Sequence, residues 1–194
     1  HRVLDLTGGS GWSGLEALRR APEGETWLVA TDEEAARTIR GQTDALPELE
    51  RPVVVTCDRF APADRVREAA ADRDAGDADP RFDRVLALRW LSELDDPNAA
   101  LVEMFRLLAP DGRALFGDPL PARAPRLHTH VDLDGLPDGV AEAVRDAEEA
   151  AYRDADVARF RFDPDGAARR LEAAGFGAVR LEIVPVEEAR RFPV

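Results

Sequence analysis

Two rhythms of apolar positions alternate along this chain. Short apolar runs at Val3–Leu6, Thr26–Ala30, Pro52–Thr56, Phe82–Leu88, Arg113–Gly117 and Ala178–Val184 have the length and β-branched content of buried strands. Between them the apolar residues recur at helical spacing. Ser13–Arg20 turns Leu15 and Leu18 to one face, and Glu33–Arg40 follows Asp32 as a capping residue and stops at Gly41. A helix starting at Pro97 carries Leu101, Met104, Phe105 and Leu108, and Pro110-Asp111-Gly112 then forms a turn. A last helix starts at Asp163-Pro164, carries Leu171 and ends at Gly175. Residues 61–81 read as a short helix and then an acidic, solvated loop. Phe192-Pro193-Val194 has the look of a seventh strand just beginning.

Strands that alternate with helices predict an α/β fold: a doubly wound, mostly parallel open sheet, its last strand antiparallel and cut short. The chain reads as one domain over 1–194. Residues 119–137 are irregular and bear Pro and His. Residues 138–153 are helical, alanine-rich and charged, with Leu136 and Val140 as their best anchors. Together, residues 119–160 read as an insert or lid on the substrate side, or as a dimer contact. A doubly wound sheet binds ligands at the carboxyl ends of its strands, where strand order reverses. The loops after Leu6, Thr31, Thr56, Leu88 and Asp118 are therefore the informative ones.

The first of these is Thr7-Gly8-Gly9-Ser10-Gly11, between a strand and a helix. Glycine permits positive φ and lets a ligand approach bare backbone, and a helix start offers free N–H groups to an anion. A tight turn with no ligand has the same composition. Asp32 stands at the tip of the second strand, where a carboxylate can accept both hydroxyls of a ribose. It also suits a plain helix cap, and the two roles are compatible. Asp58 ends the third strand, placed to accept from the exocyclic amine of a purine or to remain a solvated loop acid.

With these features in place, RVLDLTGGSG resembles the strand–Asp-x-Gly-x-Gly-x-Gly motif of class I S-adenosylmethionine-dependent methyltransferases. Asp32 falls at that family's ribose-binding acid and Asp58 at its adenine-side acid. FDRVLALRWLSELDDPNAALVEMFRLLAPDGRALFGDP, residues 82–119, is similar to its fourth strand, helix, Pro-x-Gly turn and fifth strand. DPDGAARRLEAAGFGAVRLEIV, residues 163–184, resembles the helix and Ala-Gly-Phe turn before its sixth strand. The resemblance implies a Rossmann-like fold with S-adenosyl-L-methionine as cofactor. It implies a binding set of Asp5, Thr7, Gly8, Gly9, Ser10, Gly11, Asp32, Glu33, Asp58, Arg59 and Leu88. Thr7 departs from the motif, because it occupies the first glycine position. Moving the sharp turn one place, onto Gly8, would spare Thr7 a positive φ.

Composition narrows the partners. The formal charge is −13, and every Lys or Arg in the chain is Arg. High-GC coding or adaptation to high salt would each favour that pattern. An acidic surface disfavours nucleic acid and anionic membranes as partners. The fourth strand ends in Ala87-Leu88-Arg89-Trp90 and not in the Asn/Asp-Pro-Pro-aromatic motif that amino-methylating nucleic-acid enzymes share. A small-molecule acceptor fits best, and a homodimer is left open. Cys57 is the only cysteine, which excludes an internal disulfide and leaves a reducing, cytoplasmic setting as the default. No apolar run is long enough to span a membrane. No signal peptide is visible. The chain lacks an initiator Met and starts abruptly on a strand, as a trimmed domain would.

Methyl transfer from a sulfonium is an in-line displacement, so a dedicated base is needed only when the acceptor must lose a proton. The catalytic residue is accordingly not legible. Arg89, Trp90 and Glu93 fall where a substrate's edge would lie, and His128 and His130 sit in the insert as candidate pocket residues or bases. Trp90 would equally suit helix–sheet packing, and Arg89 with Glu93 a surface ion pair. His128 and His130 with Asp132 and Asp134 are more ordinary as loop residues than as metal ligands, and no metal is expected. Two rivals stand beside the enzyme. One is a methyltransferase-like domain that binds without turnover. The other is a nicotinamide-dependent oxidoreductase, which the absence of any Tyr-x-x-x-Lys pair disfavours.

Overall fold

The structure, a computed structural model, describes residues 1–73, 79–94, 96–137, 139–154, 157, 160 and 162–186. Its centre is a five-stranded sheet in the order β3-β2-β1-β4-β5. The strands are β1 (Arg2–Asp5), β2 (Glu25–Ala30), β3 (Val53–Thr56), β4 (Phe82–Leu88) and β5 (Leu108–Gly117). Every neighbouring pair is parallel. The chain steps outward from β1 through β2 to β3, then returns to the other side of β1 as β4. Strand order therefore reverses between β1 and β4, and their carboxyl ends open a crevice there.

The helices are α1 (Trp12–Arg20), α2 (Glu33–Thr43), α3 (Ala63–Arg73), α4 (Asn98–Leu107), α5 (Val140–Tyr152) and α6 (Pro164–Ala173). Strand β2 shows why both sheet faces are covered. Trp27 and Val29 enter one core layer, with Phe82, Val66, Leu101, Met104 and Leu171. Leu28 and Ala30 enter the other, with Ala36 and Ile39 of α2. Alternate strand residues point to opposite faces, so a strand buried on both must be apolar throughout. Trp27 and Phe82 meet edge to face, with ring centroids 5.7 Å apart.

Four sequence expectations are corrected. Helix α2 passes through Gly41 and ends at Thr43, whose hydroxyl donates back to the Ile39 carbonyl. Leu108 leaves α4 and pairs with Phe82, so β5 begins earlier than Arg113. The expected Pro110-Asp111-Gly112 turn survives as an irregularity inside that strand, where pairing shifts between Phe82 and Arg84 and Asp111 takes φ 62°. Residues 178–184 form no ladder. Their alternation of Val179, Leu181 and Ile183 reads as a strand, but a strand needs a partner backbone as well as a pattern. The chain turns at Ala178 with φ 52°, and 178–183 line a groove beside β5 without pairing to it. Leu136 and Val140, each 40% exposed, do not anchor the insert. The seventh strand expected at 192–194 lies outside the described residues.

The layer of α1 and α2 lies close to the sheet. A Cβ added to Gly14 would fall 1.9 Å from Leu28 Cδ2. Gly14→Ala should therefore destabilise the domain by about 1–3 kcal/mol through overpacking, although alanine is the better helix former. Denaturant unfolding of the variant checks this. Unchanged stability would mean that Leu28 moves aside freely.

Candidate active site

The crevice is organised from below by Asp5. Its carboxylate is 1% exposed and accepts from the Thr7 N–H at 2.9 Å and the Ser13 hydroxyl at 2.7 Å. Thr7 Oγ1 in turn accepts the Leu88 N–H at 3.3 Å and lies 3.0 Å from Ser13 Oγ. Among the described residues, positive φ outside glycine occurs only at Arg89, Asp111 and Ala178, so Thr7 is relaxed. The sharp turn has moved to Gly8 at φ 73°, followed by Gly9 at 66° and Gly11 at 70°. Gly8 and Gly11 are packed against Thr31 and Ile39, but an added Cβ at Gly9 meets nothing within 4 Å. The open backbone that a ligand can approach is at Gly9 and the exposed Ser10. Asp5 and Leu88, placed in the binding set by resemblance, act here as supports. Asp5 is sealed beneath the turn, and the Leu88 N–H is committed to Thr7.

The acids stand where the sequence put them. Asp32 caps α2 by accepting the Ala35 N–H at 2.8 Å, and remains exposed at the tip of β2 with Glu33 beside it. Asp58 accepts the Phe60 N–H at 2.9 Å at the tip of β3 and is also exposed. The glycine turn, Asp32 and Asp58 thus line the carboxyl ends of three adjacent strands. Cys57 follows β3 and is partly buried. Burial pushes its thiol up to about 11, with Arg65 pulling the other way and Asp58 adding to the rise.

Arg59 is the residue that joins the crevice together. Its guanidinium donates to the Thr7 carbonyl at 2.6 Å and the Arg89 carbonyl at 3.0 Å, and pairs with Glu93. Arg89 reaches the other Glu93 oxygen at 3.5 Å. Of the two readings of Trp90, a substrate's edge or helix–sheet packing, the structure shows packing: the side chain is fully buried. Its indole N–H donates to the Arg59 carbonyl at 3.0 Å, and its ring packs between Phe60 and Phe116. It props Arg59 from behind, because an apolar ring beside these core aromatics gains more from burial than from exposure.

The insert is held by charge. His128 Nδ1 lies 2.7 Å from Glu148 Oε2, and Arg126 pairs with Glu149 while stacking over Tyr152 at 3.9 Å. His130 is exposed and does not share this contact. No three His, Cys, Asp or Glu side chains among the described residues converge as metal ligands. Ser13, Trp12 and Asp118 were not legible as site residues. Ser13 gains its role only through Asp5. Trp12 is 75% exposed beside the glycine turn. Asp118 gives one oxygen to the Ser92 N–H, and its other is buried with no partner among the described residues. Their one signal was position, directly after the turn and at the end of the fifth strand.

A sheet whose order reverses at β1/β4, with a glycine turn and two strand-tip acids, defines a nucleoside-binding α/β domain. The match to known families is specific: residues 1–181 fit the methyltransferase domain model. The chain belongs to that family, the S-adenosylmethionine-dependent class that its motifs resemble. It is 30% identical over 182 residues to a demethylmenaquinone methyltransferase from Mycobacterium sp. (strain KMS), covering 92% of this chain and 69% of that protein. The CurJ carbon methyltransferase superposes with a TM-score of 0.60 at 15% identity, covering 95% of this chain and 44% of that one. A chain in the Haloferax volcanii complex of the Trm112 methyltransferase activator with its partner superposes with a TM-score of 0.55 at 19% identity, covering 90% of this chain and 60% of that one. At these identities the structural matches show the shared fold, and this chain spans less than two thirds of each solved chain. No helix among the described residues is long and apolar enough to cross a membrane.

Two outcomes follow. Thr7→Gly, which restores the family's glycine, should cost about 1–3 kcal/mol in unfolding experiments, because the Leu88 N–H loses its acceptor. A more stable variant would show that Thr7 is tolerated and not used. The second concerns Glu148, whose carboxyl is held below its usual range chiefly by the His128 backbone N–H, with the Leu127 N–H and the His128 ring adding to it. A lowered folded value means that this tie is complete above the ordinary glutamate range and fades as pH falls through the lowered value. Protection of the amides in 121–137 and 139–152, taken relative to their intrinsic exchange rates, should thus be high at neutral pH and fall in acid. Glu148→Gln should exchange fast already at neutral pH, and a variant as protected as the parent would exclude this tie.

Proposed function

We propose that this domain holds S-adenosylmethionine over the carboxyl ends of β1, β2 and β3 and transfers its methyl group to a small-molecule acceptor approaching from β4 and β5. The observation that carries the reading is the alignment of the open Gly9 backbone with the exposed carboxylates of Asp32 and Asp58. The residues fit the nucleoside. Asp32 offers two acceptor oxygens to a ribose diol, Asp58 offers one to an exocyclic amine, and the Gly9–Gly11 backbone leaves room for the chain that links sugar and sulfur.

Bound there, the sulfonium supplies an electrophilic methyl group, and the sulfur leaves as a neutral thioether. The chain's own task is placement. Phe116, backed by the buried Trp90, offers an apolar ring to the acceptor side, while Arg59 fixes the loops after β1, β3 and β4 relative to one another. Holding donor and acceptor in line supplies most of the rate in such a reaction. An aromatic or quinol acceptor would suit that ring, and the demethylmenaquinone relative supports this class. A domain that binds without turnover would have been favoured by a damaged glycine turn. Thr7 sits in a relaxed turn, so that support is gone.

Asp32→Asn tests the reading with little effect on the fold, since Asn caps a helix about as well as Asp. Calorimetric titration should show S-adenosylhomocysteine bound at least about tenfold more weakly by the variant, with an unchanged melting temperature. Equal affinity would overturn the ribose role of Asp32.

A further inference from the structure

Arg59, Arg89 and Glu93 make up an arrangement that packing alone does not require. The Arg59 side chain is only 10% exposed and is pinned by two backbone carbonyls, one from each side of the crevice. Its guanidinium carbon lies over the Phe60 ring, 4.8 Å from the centroid. The cation is therefore fixed. Its counter-ion is the more open of the two: Glu93 is 39% exposed, and its carboxylate is shared with the more exposed Arg89. Arg89 itself follows β4 in the left-handed region at φ 51°, a conformation that costs a non-glycine residue energy and collects at functional sites. Two guanidiniums thus converge on one solvent-accessible carboxylate, at the point where strand order reverses. A guanidinium's donors match a planar carboxylate, and a charge-assisted pair of this kind is among the stronger polar contacts. In a chain of net charge −13, such a spot attracts an anion against the overall field.

We propose that Arg59 and Arg89 form a carboxylate-binding clasp, closed on Glu93 in the unliganded protein, and that a ligand carboxylate takes the place of Glu93 when the site fills. Glu93 is then an internal stand-in that keeps the buried Arg59 paired, since leaving that charge unpaired would be costly. The inference rests on the methyltransferase reading. Two sources offer the same chemistry: the α-carboxylate of the cofactor's amino-acid part, or a carboxylate on the acceptor.

The experiment titrates S-adenosylhomocysteine and 5′-methylthioadenosine, which lacks the amino-acid part, into the wild-type chain, Glu93→Gln and Arg59→Met. Benzoate is titrated into each protein with and without S-adenosylhomocysteine. If the cofactor supplies the carboxylate, the preference for S-adenosylhomocysteine should shrink by about tenfold or more in Arg59→Met and grow about threefold or more in Glu93→Gln, with 5′-methylthioadenosine unmoved. If the acceptor supplies it, that preference stays constant. Benzoate then binds the cofactor-loaded protein, more tightly in Glu93→Gln and not in Arg59→Met. A constant preference together with no saturable benzoate binding overturns the clasp and leaves the ion pair as a strut. Glu93→Gln keeps the shape of the parent side chain, so the answer does not depend on Arg59→Met folding. If the wild type binds neither nucleoside, the methyltransferase reading fails by itself, and benzoate binding to the unliganded proteins still decides the clasp.

Discussion

A carboxylate sealed under a turn is the constraint on which the site depends. Asp5 is buried among apolar strands, so its oxygens must be satisfied, and the groups within reach are the Thr7 N–H and the Ser13 hydroxyl. Satisfying it fixes the exit of β1 and the start of α1 together. The turn between them must then close in very few residues, which forces the left-handed conformations at Gly8, Gly9 and Gly11. Thr7 fits because the turn begins one residue later and its hydroxyl reaches across to β4. The switch point is thus tied from β1 to β4 by Thr7, and from β1 through β3 to β4 by Arg59.

This division of labour separates support from recognition. Asp5, Ser13, Thr7 and Trp90 meet protein and hold shape. Gly9, Ser10, Asp32 and Asp58 face outward and are available to a ligand. A mutation in the first group changes stability and geometry at once, whereas one in the second can alter affinity alone. Such rigid support under a mobile chemistry is what an in-line displacement needs, because small errors of placement are costly to rate.

Much of the fold was legible because it rests on local rules. The strands β1 to β4 announce themselves as apolar runs, and Asp32 and Asp163 as caps with a helix behind them. The glycine turn and the two acids carry their meaning in their positions at strand ends. Other features depend on residues distant in sequence. Sequence leaves Trp90 open between a substrate's edge and helix–sheet packing until Phe60 and Phe116 enclose it, and Arg59 looks like one more loop arginine until Thr7 and Arg89 offer it their carbonyls. Residues 178–184 have a strand's pattern, but pattern says nothing about whether a neighbouring backbone is in register to receive it. In the insert, the apolar residues that looked like anchors lie outside, and the Arg126–Glu149 ion pair and the hydrogen bonds to Glu148 do the holding.

The outer side of β5 has a consequence for the protein in bulk solution. Among the described residues no strand pairs with it, and Leu115 stands exposed along it. Wherever such an edge is left uncovered, it is a template on which chains add to one another. What opposes that addition is colloidal: two copies each carrying −13 repel before their edges can meet. That repulsion reaches about 8 Å at physiological ionic strength and only about 3 Å at 1 M salt. The acidity of this chain therefore acts as a long-range guard for a short-range weakness, and the guard is only as strong as the surrounding electrolyte is dilute.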